Sequence, residues 1–171
     1  MILKFFGTFA VFVLATLLHW VFVEIFSPLD INVGVMLVFA LITAACAGRA
    51  RAYTFAFFCG LFLDFFADAM FGGYALVFTL LVFAFHKIEN KIDFNGVGPQ
   101  VVLTCVINMA ATLVYGVFGK IFTGVFLWQG LKSFVLGSII TGLLMPVMYL
   151  FTVKYFMRSA GGRGNENRSI L

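Results

Sequence analysis

Six stretches of almost uninterrupted apolar residues, set apart by short polar or Gly/Pro-bearing breaks, constrain this chain more than any other feature. They cover Phe5–Phe26, Ile31–Ala47, Tyr53–Phe66, Gly73–Phe85, Val97–Phe122 and Phe134–Met157. A bilayer core about 30 Å thick asks for about 20 apolar residues per spanning helix. Water is absent there, so a crossing segment must close its own backbone hydrogen bonds, which a helix does. Only 11% of the 171 residues are charged while 63% are hydrophobic, too polar-poor a set to cover a water-soluble core. The 24 Phe suit surfaces that face lipid. The sequence therefore predicts an all-α integral membrane protein.

The boundary between the third and fourth runs decides the topology. Tyr53 to Phe85, taken as one helix of 33 residues, would reach about 50 Å, well beyond the bilayer core. Asp64, Asp68 and Gly72-Gly73 argue for a break instead. With six transmembrane helices and the N-terminus inside, Lys4, Arg49, Arg51, Lys87, Lys91, Lys154, Arg158, Arg163 and Arg168 are cytoplasmic. Only Lys120 and Lys132 are outside, a split of nine to two, whereas five spans give five to six. Cytoplasmic loops carry the excess of Lys and Arg, so six spans with both termini cytoplasmic are expected. Residues 1–158 then form one transmembrane domain, and the Gly-, Asn- and Arg-rich residues 159–171 a disordered cytoplasmic tail. The first run is longer than a signal-peptide apolar region and lacks a small-x-small cleavage site, so it is read as a span. The net charge of +4 is read as a topology signal, because the basic residues flank helix ends. The lipid bilayer, and no nucleic acid, is the expected partner surface.

Several positions invite a chemical reading. Ala52, Ala56, Gly60, Asp64 and Asp68 recur every four residues in the third run, with Phe55, Phe57, Phe58, Phe62 and Phe65 in other directions. Small residues let a neighbouring helix come close, and carboxylates inside a span face protein or water. Asp64 and Asp68 either accept hydrogen bonds from the free N–H groups of a helix beginning near Gly72, or share a cation that relieves their repulsion. Asn108, with Thr104 and Thr112 one turn either side, forms a second polar cluster. In the last run Ser133, Gly137 and Thr141, and likewise Ser138 and Gly142, form small-residue seams. Pro146 leaves the Gly142 carbonyl without its helical donor and predicts a kink. Cys46, Cys59 and Cys105 lack metal-site spacing and are read as packing thiols. His19 and His86 fall toward opposite faces, His86 among the headgroups. Catalytic residues, metal ligands and cofactors are not expected.

One motif argues otherwise. Ala50-Arg51, eight residues, then Gly60, Asp64 and Asp68 at intervals of four, match the second half of the CDP-alcohol phosphatidyltransferase signature. The first half would place carboxylates and a glycine where this chain has Thr43, Cys46 and Ala47. A hard cation such as magnesium wants oxygen ligands, so the motif is incomplete.

The same stretch resembles the rod shape-determining MreD family. That family's pattern is a G-x-x-x-D helix end followed, eight residues after the Asp, by G-x-x-A-L opening the next helix. This chain reads Gly60-Leu61-Phe62-Leu63-Asp64, then Gly72-Gly73-Tyr74-Ala75-Leu76. Gly142-Leu143-Leu144-Met145-Pro146 resembles the family's last helix, while His19-Trp20 stands near where the first span often holds a Gln. The resemblance implies a non-enzymatic scaffold of the bacterial cell-elongation machinery in the cytoplasmic (inner) membrane. Such a protein binds MreC, meets other membrane proteins of the elongation complex, and helps couple MreB indirectly to peptidoglycan synthesis. Gly60, Asp64, Asp68, Gly72, Ala75, Leu76, Asn108, Gly142 and Pro146 are the expected structural or partner-binding positions. MreD also resembles the S-component fold of energy-coupling-factor transporters, so a small-molecule-binding transporter component is the alternative. A polar outer cavity would favour the transporter component; helices held for a partner would favour the scaffold.

Overall fold

The computed structural model describes residues 2–67, 70–88, 96–127 and 130–153. Every regular element among them is helical: α1 (Ile2–Phe26), α2 (Val35–Cys46), α3 (Arg49–Asp64), α4 (Gly73–Ile88), α5 (Val97–Thr123) and α6 (Ser138–Thr152). A 3-10 turn, Ser27–Leu29, ends α1, and a π turn, Ser133–Gly137, leads into α6. Three stretches are long and apolar enough to cross a membrane: Gly7–Leu29, Val97–Thr123 and Ser133–Thr152. The protein is thus an all-α chain of membrane character. The break between the third and fourth apolar runs is present. Helix α3 stops at Asp64, and Gly72, at φ +89°, turns the chain into α4.

The shorter helices are short for different reasons. Val35 to Ala44 of α2 are all buried, as expected of a helix that is apolar on every side. Each of the other five helices touches α2, which therefore forms the axis of the bundle. Its 12 residues reach only about 18 Å. The apolar run feeding it begins at Ile31, yet helix begins only at Val35. The reason lies in α6. Asn32 N–H donates to Ser133 Oγ (2.9 Å) and Gly34 N–H to Thr141 Oγ1 (3.0 Å), while Ile31 N–H turns back to the Phe26 carbonyl (3.4 Å), so these donors are satisfied outside a helix. A Cβ on Gly137 would collide with the Asn32 carbonyl. The Ser133–Gly137–Thr141 seam is a track for a non-helical strap.

Helix α3 lies along α4, and α5 along α6. Ala52, Ala56, Gly60 and Asp64 are all buried, and Phe57, Phe58 and Phe65 face outward. Phe55 departs from that division: it is buried, edge-on to Phe12 of α1. Helix α6 runs through Pro146 without interruption. His86 is not at the surface. It is 9% exposed, its Nδ1 lies 2.8 Å from the Val82 carbonyl, and its ring packs 5.4 Å from that of Tyr53. Its side chain is thus covered by α3 rather than open on the surface of the bundle. Asp68, Lys91, Lys154, Arg158, Arg163, Arg168 and the tail 159–171 lie outside the described residues.

Candidate functional site

At the end of α3 the small-residue stripe brings α4 against the backbone. A Cβ on Gly60 would run into the Cα and N of Ala75 and the carbonyl of Tyr74. That approach places Asp64, one turn on, beneath the first turn of α4. Its Oδ1 accepts the Tyr74 N–H at 2.8 Å and its Oδ2 the Ala75 N–H at 3.0 Å. The first N–H groups of a helix have no partner within it, and they carry partial positive charge. The 2%-exposed carboxylate answers both deficits, and its own burial is compensated by two charge-assisted hydrogen bonds. The acceptance of backbone donors expected of this acid is present. Its companion Asp68 lies outside the described residues.

The junction also sets an aromatic wall. Tyr74 stacks on Tyr115 of α5, with ring centroids 4.1 Å apart and planes at 18°. Gly73 makes room for this, since a Cβ there would stand 3.0 Å from the Tyr115 ring. Ala75 is buried and Leu76 half exposed, so Leu76 points away from the junction.

Asn108 anchors a second contact. It is 8% exposed, and its Nδ2 donates to Ser138 Oγ of α6 at 3.0 Å. That hydroxyl donates in turn to the Phe134 carbonyl at 2.6 Å. The Asn108 Oδ1 lies where a Cβ on Gly34 would collide, so the carboxamide meets both α6 and the strap. Thr112 donates back to the Asn108 carbonyl, whereas the buried Thr104 Oγ1 has no partner. Gly142 belongs to the α5–α6 seam: a Cβ there would stand 2.9 Å from the Val101 carbonyl and 3.3 Å from Cys105 Sγ. Pro146 lies one turn beyond it, half-buried.

Between these contacts lies a cavity of about 940 Å³. Its walls come from the C-terminal parts of α1, α3 and α5 and from the N-terminal parts of α2 and α4 and the approach to α6. Consecutive helices therefore alternate in direction. Tyr74, Phe78, Tyr115, Asn108, His19 and the strap line it, with Asp30 and Lys132. The sequence reading missed Tyr74, Tyr115 and Gly34 as site residues. Tyr115 could have been found, since seven residues beyond Asn108 is two turns along the same helix face. The Gly34 contact could not, because it depends on the strap. Among the described residues no three His, Cys, Asp or Glu side chains gather into a metal-sized group. No family model, curated protein or solved structure matches this chain.

Proposed function

We propose that this chain is a non-enzymatic scaffold of the bacterial cell-elongation machinery, similar to MreD, that binds MreC in the cytoplasmic membrane. Support comes from one observation above all. Gly60, Asp64, Gly72 and Ala75, which carry the resemblance, work as a unit in which Asp64 holds the N-terminus of α4 through Tyr74 and Ala75. A motif of this kind fixes helices relative to one another, which is what a scaffold must do. Co-expressed with affinity-tagged MreC in a rod-shaped bacterium, the chain is expected to be retained with MreC after purification in mild detergent. Flow-through equal to that of an unrelated membrane protein would remove the scaffold reading.

The same proposal has six spans and both termini cytoplasmic. Arg49, Arg51 and Lys87 flank the bundle end opposite the cavity, where positive charge is expected inside. In a background without the native cysteines, Ser27→Cys should react with an impermeant thiol reagent added outside, and Gly48→Cys should not. The reverse pattern would invert the topology.

A second reading is favoured by the cavity. Its volume and mixed lining suit a small-molecule-binding membrane component, of the kind the S-component resemblance implies.

A further inference from the structure

The cavity arranges its polar groups by depth. Asn108 and Ser133 are 8% and 5% exposed, and the His19 ring lines the same space. Neutral hydrogen-bonding groups thus occupy the interior. Asp30 and Lys132 border the same cavity but are exposed, and no ion pair joins either to another described residue. Asp30 is also the one non-glycine described residue at positive φ, +54°. Two residues on, the strap is fastened to Ser133, the neighbour of Lys132. The fold therefore brings an exposed acid and an exposed base to one cavity, which Tyr74, Phe78 and Tyr115 also line. The volume is that of a small-molecule site, and such sites pair an apolar wall with a few placed polar groups.

We propose that this cavity binds a small zwitterionic molecule bearing a flat ring with a hydrogen-bonding edge. Asp30 meets its cationic group, Lys132 its anionic group, and His19 and Asn108 the polar edge of the ring. The inference deepens the small-ligand reading and is independent of MreC. A zwitterionic lipid headgroup offers the two charges without the ring, and the test separates it.

L-Tyrosine is the probe, because it carries both charges and a ring hydroxyl. The full chain is placed in nanodiscs of phosphatidylglycerol, which supplies no zwitterion, and titrated with tritiated tyrosine. Saturable, stoichiometric binding is expected. Tyramine, which lacks the carboxylate, and 3-(4-hydroxyphenyl)propionate, which lacks the ammonium, should each compete at least about tenfold more weakly, as expected when a charge-assisted contact is lost. Lys132→Gln should weaken tyrosine and leave tyramine unchanged. Asp30→Asn should weaken tyrosine and leave the propionate unchanged; both residues are exposed, and Asn tolerates a positive φ. No saturable binding by the wild-type chain overturns the proposal, as does equal competition by all three compounds. Displacement of tyrosine by phosphatidylethanolamine in the discs assigns the site to lipid and overturns it too. Each of these failures leaves retention by MreC unaffected.

Discussion

Asp64→Ala is expected to reduce the folded protein recovered from membranes severalfold and to lower its thermal midpoint in detergent. The carboxylate is 2% exposed and accepts two backbone N–H groups of α4, at 2.8 and 3.0 Å. Alanine supplies no acceptor, and each buried donor left without a partner costs about 1–3 kcal/mol. Loss of negative charge beside a helix N-terminus adds a smaller penalty in the same direction. Asp64→Asn keeps one carbonyl oxygen but turns an amide donor toward the second N–H, so it should fall between the two. Asp68, four residues on and outside the described residues, is the comparison, and its replacement by alanine is expected to be milder. Fluorescence-detected size-exclusion of tagged variants and a melting curve give both readings. If Asp64→Ala matches Asp68→Ala in yield and midpoint, solvent rather than α4 satisfies the acid.

Much of this arrangement was legible because local chemistry pointed the same way as the packing. The four-residue stripe of Ala52, Ala56 and Gly60 foretold a close helix contact, and Asp64 at its end foretold an acceptor for the next helix. Gly72-Gly73 marked the turn between them. The seams of α6 were legible as well, but not their occupants. Ser133, Gly137 and Thr141 read as a surface for another helix, whereas Ser133 and Thr141 hold the N–H groups of Asn32 and Gly34 in the strap. Hydropathy cannot distinguish an apolar residue in a helix from one in a strap whose N–H groups are satisfied by a neighbour's hydroxyls. That is why the second apolar run was read four residues too long at its start. The packing of His86 was hidden for a related reason. A histidine beside Lys87 looks like an open polar helix end, yet Tyr53 of α3 covers it. The cavity escaped for the same reason as the strap. It depends on six chain segments meeting at one end, and no local pattern records that.

Gly60→Ala is expected to be as damaging as Asp64→Ala, although alanine is the better helix former. In an isolated helix the exchange would stabilise by about 0.5–1 kcal/mol. Here the new methyl group would overlap the Cα and N of Ala75 and the carbonyl of Tyr74. All three are backbone atoms, so no side chain can rotate away, and α4 must retreat from α3. Overpacking of this kind costs about 1–3 kcal/mol. The retreat also lengthens the two hydrogen bonds to Asp64, which depend on the approach that Gly60 permits. Gly98→Ala is the control: it lies exposed in the first turn of α5, and apart from its chain neighbours nothing comes within 4 Å of the added Cβ. It should cost far less than Gly60→Ala, its penalty limited to the crowding of a Cβ against the following Pro99. The decisive measurement is the double substitution. Once Gly60→Ala has displaced the start of α4, little remains for Asp64→Ala to remove, so the pair should lower the thermal midpoint by less than the sum of the two. Residues that share one contact show such coupling, while independent sites add. Simple additivity would mean that α4 keeps its place over Asp64 when Gly60 gains a side chain. The close approach and the hydrogen bonds would then be separate features rather than one joint.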